Sequence, residues 1–410
     1  MREPGPAQPS PHNHEMLHDP RRHQALITIP WDEARVRATL SRIAADAESS
    51  RLPSGGWPLH VRDVDPAEDP GLMPTPLYFG AIGMVWALRY LGAQGAVVLR
   101  HDPLAGADTL LTHSRAWSRI CGQGQHAAYL MGETPLLMMM GHDEAVAALI
   151  ESNTDHPSRE LMWGAPGSLL AALFMHRRSG QARWAELFRR IAAGMWQTLE
   201  ASPSHGCCWT QDLYGHRSRL LGAAHGFAGA AGAVLRGLDL LDGEARAAWQ
   251  HCIAATVACT AVWDGDRANW HDELADGEPR PWKKLMQFCH GAPGLVIALA
   301  DGADAALDET LLAAGRAIWA AGPLAKGAGL CHGTAGNGYA LLKLYVRTQD
   351  PLWLERARAF AMHAIVQSEA DEVRYGGLRR SLWNGDAGLA IYLWDCLGGR
   401  ARFPTLDVFD

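Results

Sequence analysis

At 410 residues, with 48% hydrophobic and 20% charged residues, the chain can bury a large core. A formal net charge of -7 and no polybasic run give no reason to expect a nucleic-acid or anionic-membrane partner. No uninterrupted apolar stretch approaches the ~18 residues of a membrane span, and eight cysteines in a chain this long do not make a disulfide scaffold. A cytoplasmic protein is the default expectation.

Residues 1–24, MREPGPAQPSPHNHEMLHDPRRHQ, are rich in proline, histidine and charge and lack an apolar core. They read as a mobile tail rather than a signal peptide. Residues 25–410 read as one domain. Within it a short signature recurs: F-G-A-I-G-M-V-W-A-L at 79, a degenerate M-G-E-T-P-L-L-M-M-M at 131, and W-G-A-P-G-S-L-L-A-A-L at 163. It continues as H-G-F-A-G-A-A-G-A-V-L at 225, H-G-A-P-G-L-V-I-A-L at 290, H-G-T-A-G-N-G-Y-A-L-L at 332 and N-G-D-A-G-L-A-I-Y-L at 384. Seven unevenly spaced copies suit a closed ring better than a thin solenoid.

Each copy has the same grammar. The first glycine permits a tight turn, and the second lets the chain enter a helix in a crowded place. The apolar run that follows marks a buried helix. Between copies lie one-striped helices, such as Trp184, Leu187, Phe188, Ile191 and Met195, or Trp353, Ala357, Phe360 and Ala364. Inner apolar helices alternating with outer amphipathic ones predict an all-α, seven-hairpin (α/α) barrel with its glycine turns gathered at one end. Strand signals are sparse, and residues 51–76 and 264–283 read as long connections.

Cysteine and histidine concentrate the chemistry. Cys252 and Cys259, seven apart in an apolar helical pattern, read as small buried hydrophobes. Cys289-His290-Gly291 and Cys331-His332-Gly333 differ, because both fall on the turn before an inner helix. Thiolate and imidazole together favour zinc. Two arrangements remain open on the residues alone. All four side chains could close a structural Cys2His2 site, or three ligands could leave a position for water or substrate.

The glycine turns, with C-H-G-A-P-G at Cys289 and C-H-G-T-A-G-N at Cys331, resemble the lanthionine-synthetase C-like (LanC-like) family from about residue 77 to about 398. The resemblance implies an α/α toroid of seven hairpins around a catalytic zinc held by Cys289, Cys331 and His332, with the fourth position for water or a thiol. It makes His290 a non-ligand position, histidine in the eukaryotic branch and often tyrosine in bacterial cyclases. His225 matches an active-site histidine, the candidate for proton transfer or enolate stabilisation. Glu160 stands where bacterial cyclases commonly carry Asp, able to orient an imidazole or take the thiol proton. Lys326 matches a lysine associated with glutathione's carboxylate in the eukaryotic type. The arginine that many bacterial cyclases carry four before the first zinc cysteine is replaced by Leu285, a departure from dedicated lantibiotic cyclases.

The implied function is zinc-dependent activation of a thiol, from glutathione or a peptide cysteine, for addition to dehydroalanine or dehydrobutyrine in a dehydrated peptide or protein. The alternatives are a cyclase closing lanthionine rings and a non-catalytic zinc-containing binding protein in signalling. An α/α-barrel carbohydrate enzyme would need paired carboxylates, for which Glu133, Glu160 and Asp386 are the candidates, and it leaves both Cys-His pairs unexplained. Asn337, Asn384 and Asp386 either line the opening or cap helices. Trp163, Trp209 and Trp383 read mainly as ring packing.

Overall fold

A computed structural model of the chain describes residues 16–64, 73–121, 125–202, 204–213, 215–274 and 281–409. The helices alternate between an outer and an inner layer. They are α1 (Glu33–Ser49), α2 (Ala81–Ala93), α3 (Ala107–Cys121), α4 (Thr134–Met140), α5 (Asp143–Asn153), α6 (Ala165–Ser179) and α7 (Ala182–Gln197). The second half continues with α8 (Phe227–Leu235), α9 (Gly243–Thr260), α10 (Ala292–Leu299), α11 (Asp308–Ala321), α12 (Thr334–Thr348), α13 (Pro351–Tyr375) and α14 (Asp386–Gly398). The even-numbered helices follow the seven signatures and pack side by side in chain order, and α14 closes on α2. Every residue of α8 and α10 is buried. The outer α7 buries one stripe, Trp184, Leu187, Phe188, Ile191 and Met195 among it, as its spacing predicts.

Four of the turns that lead into the inner helices, those before α2, α8, α12 and α14, share a hydrogen-bond frame. The first N–H groups of a helix lack partners within it, and here a main-chain carbonyl seven residues back supplies one. Ala81 N donates to Pro74 O (3.1 Å), Phe227 N to Leu220 O (2.9 Å), Thr334 N to Gly327 O (2.9 Å) and Asp386 N to Arg379 O (2.8 Å). No side-chain cap is needed at Gly80, Gly226, Gly333 or Gly385. Folding the turn back this far brings the second glycine against the carbonyl six residues earlier. A Cβ on Gly229 would lie 2.0 Å from Ala223 O, and one on Gly336 1.8 Å from Leu330 O. Both approaches are closer than any side chain allows, so crowding by the turn's own backbone explains that glycine.

Three features go beyond the sequence reading. The ring is helical, but it also carries three short antiparallel hairpins: β1 (Glu200–Ser202) with β2 (Gly206–Cys208), β3 (Gln211–Leu213) with β4 (His216–Ser218), and β5 (Ala261–Asp264) with β6 (Arg267–Trp270). The last turns through Gly265-Asp266, with Gly265 at φ 59°, a left-handed turn that W-D-G-D-R signals locally. The connection expected over 264–283 therefore begins as strand. The expected tail over 1–24 needs correction where it is described: Leu17 is buried, Gln24 N donates to Pro323 O, and Ala325 N donates to Arg22 O. Residues 1–15 lie outside the described residues. No helix among the described residues is long and apolar enough to cross a membrane.

The third feature is a C-terminal segment that crosses the end of the ring opposite the glycine turns. Phe403 stacks on Phe288 at 5.0 Å. Tyr129 Oη donates to Thr405 O (2.9 Å) and Trp86 Nε1 to Phe409 O (2.5 Å). Asp407 lies between Lys343 Nζ (2.7 Å), which is wholly buried on α12, and the Arg236 guanidinium (2.6 Å) just after α8. Burial disfavours the Asp407 carboxylate, but the two cations outweigh it and hold its pKa below the ordinary value. Lys343 also pairs with Asp301, so Asp407→Ala leaves the buried Arg236 guanidinium without its carboxylate and should destabilise the protein by about 3 kcal/mol in urea unfolding.

Candidate metal centre

Cys289 and Cys331 end the turns before α10 and α12, and His332 follows Cys331. One ligand atom from each of Cys289, Cys331 and His332 lies within 4.8 Å of the others. Cys331 Sγ is 3.7 Å from His332 Nε2. Both sulfurs are buried and the imidazole is half-buried. Gln287 Nε2 donates to Cys289 Sγ at 2.8 Å. A hydrogen bond from Cys331 pulls Cys289 well below the ordinary thiol value, helped by His332 and His290. Burial pushes Cys331 well above it. Two soft sulfur donors and one imidazole, converging where a second negative charge is unfavourable, fit a zinc ion.

The turn at Cys289 departs from the common frame. Asn269, fully buried on β6, takes the place of the usual main-chain bond: Ala292 N donates to Asn269 Oδ1 (2.7 Å), and Asn269 Nδ2 donates to Leu285 O (3.1 Å), the carbonyl seven before Ala292. The amide thus acts as a spacer that widens the turn, and Gly291 takes φ 96°, a value suited to glycine. Leu285, where a dedicated cyclase would carry arginine, is a buried apolar residue.

His225 and Glu160 approach from the neighbouring turns. His225 Nδ1 is 3.0 Å from Glu160 Oε2, and that carboxylate also accepts from Met162 N (2.8 Å) and Trp163 N (2.6 Å). Glu160 is completely buried, whereas the His225 side chain keeps 23% of its surface. Burial lowers the His225 pKa, but the hydrogen bond and charge of Glu160, with Cys289, more than offset it, so the net shift is upward. His290 projects beside Cys289, close to Gly222 and near His225. Burial holds it below the ordinary imidazole value, and its Nδ1 has no hydrogen-bond partner among the described residues.

Lys326 is exposed on the wall of a cleft of about 460 Å³ that also exposes His332, Asn384, Arg62 and Arg379. The two arginines are engaged, Arg62 with Asp371 (2.8 Å) and Arg379 with Asp63. The other turn residues divide. Asn384 faces the centre, with Oδ1 3.2 Å from His332 Nδ1. Asn337 is buried and donates to Met286 O (3.0 Å), and Asp386 accepts from Ser368 Oγ and Arg379 N. Glu133 is taken up by Arg115. Sequence reasoning missed Tyr78, Gln287 and Asn269. Gln287 alone had a local signal, lying two before the first cysteine.

An α/α ring that presents two thiols and an imidazole at its mouth defines a helical toroid with a candidate metal centre. The family model for lanthionine synthetase C-like proteins matches residues 142–408, and the chain belongs to that family. LanC-like protein GCL1 of Arabidopsis thaliana is 27% identical over 93% of this chain and 90% of its own length. Glutathione S-transferase LANCL1 of Danio rerio is 40% identical over 137 residues, 30% of this chain and 32% of that protein. These relatives place the chain with the eukaryotic-type members. In fold it is similar to nisin cyclase, at a TM-score of 0.61 and 13% identity, over 91% of this chain and 97% of that one.

Two measurements check this geometry. Replacing Glu160 with Gln removes the charge that raises the His225 pKa, so the imidazole should lose its proton at lower pH, read from its NMR titration. Asn269→Ala leaves the Ala292 N–H and the Leu285 carbonyl without partners. Each buried group should cost about 1–3 kcal/mol, measured by urea unfolding.

Proposed function

We propose that the protein is a zinc enzyme that joins a thiol to a dehydroalanine or dehydrobutyrine residue of a peptide or protein, forming a thioether. The convergence of Cys289, Cys331 and His332 beside the His225–Glu160 pair carries this reading. Cys289, Cys331 and His332 would hold the zinc, which when bound lowers the pKa of a substrate thiol so that it is nucleophilic near neutral pH.

In the addition, the thiol loses its proton, sulfur bonds to the β-carbon, and the π pair moves toward the carbonyl to form an enolate. His225 relays the proton to the α-carbon, so atoms and charge balance. Glu160 holds the imidazole by Nδ1 and leaves Nε2 for that transfer. With its oxygens already accepting from Met162 N, Trp163 N and His225, Glu160 orients the base rather than taking the thiol proton itself. His290, half-buried, lines the same wall.

The exposed ammonium of Lys326 on the cleft wall favours an external anionic thiol over an internal cysteine. The transferase name of the Danio rerio relative supports glutathione as that thiol. Ring closure in a lanthipeptide precursor is the second reading, supported by the fold shared with nisin cyclase. A dehydrated peptide or protein is the partner in both.

Mass spectrometry of the zinc-loaded protein with a dehydroalanine peptide and glutathione should show the glutathione adduct. Cys331→Ala should lose both the adduct and the bound zinc. Activity persisting in Cys331→Ala would refute the mechanism. Lys326→Ala should raise KM for glutathione several-fold and change kcat little, whereas an uncharged thiol should be indifferent to it.

A further inference from the structure

Beside the donor triad are two side chains to which the addition assigns no role, Tyr78 and Asn384. They come from the first and last repeats of the chain. Tyr78 is in the turn before α2, and Asn384 is in the turn before α14. Backbone bonds lace these two turns to the one carrying the ligands. Trp383 N donates to Tyr78 O at 3.0 Å, and the Leu330 and Cys331 N–H groups both donate to Trp383 O, at 2.8 and 2.9 Å.

The side chains follow the same seam. Tyr78 is 9% exposed, with its ring 5.5 Å from that of Trp383. Its hydroxyl donates to Asn384 Oδ1 at 3.3 Å. His332 Nδ1 is 3.2 Å from the same Asn384 oxygen. An amide oxygen accepts two hydrogen bonds and donates none, so the imidazole proton belongs on Nδ1. The Nε2 lone pair is then the one turned toward Cys331 Sγ. A metal-bound histidine is commonly fixed in this way, by an acceptor on its far nitrogen.

We infer that Tyr78 and Asn384 are a positioning pair for the imidazole ligand: Asn384 fixes the tautomer and tilt of His332, and Tyr78 holds Asn384 in place. Zinc affinity would then depend on the seam where the first hairpin meets the last. This rests on the reading that Cys289, Cys331 and His332 hold the metal.

The test uses the full-length protein and four variants. Zinc affinity is measured by competition with a chromophoric chelator, and the cobalt(II)-loaded forms are compared by their thiolate charge-transfer and d–d absorption. Tyr78→Phe keeps the ring packing and removes only the hydroxyl. It should weaken zinc binding about tenfold and shift the cobalt bands, with the metal-free melting temperature unchanged. Asn384→Leu should weaken binding by about 10–100-fold, and Asn384→Asp, which keeps the acceptor, should restore it. Wild-type zinc affinity and cobalt spectra in both Tyr78→Phe and Asn384→Leu would overturn the inference. So would Asn384→Asp binding as weakly as Asn384→Leu, because the side chain would then act through packing. If wild type and Cys331→Ala bind zinc alike, the ligand assignment itself fails, a result distinct from the others.

Discussion

The fold turns on how the inner helices begin. A helix entering a crowded ring cannot hydrate its first N–H groups, and here the chain folds back to meet them with a carbonyl seven residues earlier. That choice forces the second glycine against the carbonyl six residues back, where no Cβ fits. The repeated glycine spacing therefore reflects a hydrogen-bond demand, and the apolar run after it reflects burial on all sides. Because the turns share one geometry and one end of the ring, residues placed just before them converge on one mouth.

The metal centre exploits a deviation from that rule. At Cys289 the buried amide of Asn269 replaces the backbone bond, and Gly291 takes up a left-handed angle. At Cys331 the ordinary bond is kept, and the turn is tied instead to Trp383 in the last hairpin. The two sulfurs thus reach a common point from turns built differently. The His225–Glu160 pair arrives from the fourth and third turns, with the carboxylate shielded and the imidazole partly open. This division of exposure suits an acid–base group held in place by a buried charge.

Two chain ends reinforce the ring. The segment around Leu17 runs beside the 322–325 loop and accepts a hydrogen bond from Asn269, the amide that shapes the Cys289 turn. The opposite face is crossed by residues 399–409, where Asp407 ties α12 to the end of α8 through Lys343 and Arg236. Neither device has a periodic signature. A single aspartate in a short terminal stretch carries no local mark of its two distant cations.

The sequence by itself determined the ring: seven glycine-led apolar runs separated by one-striped helices follow from periodicity and burial, and both are local properties of the chain. It also marked Cys289, Cys331, His332 and His225 as equivalent turn positions, and the family resemblance picked out Glu160, His290 and Lys326. Tertiary structure decided the rest. Only the folded ring brings Tyr78 and Asn384, 306 positions apart, into a hydrogen bond, inserts Asn269 into a turn 23 residues away, and docks Arg22 and Gln24 against the loop before Lys326. Those contacts are hydrogen bonds of single polar groups across large sequence separations, and such a bond leaves no periodic trace in either partner.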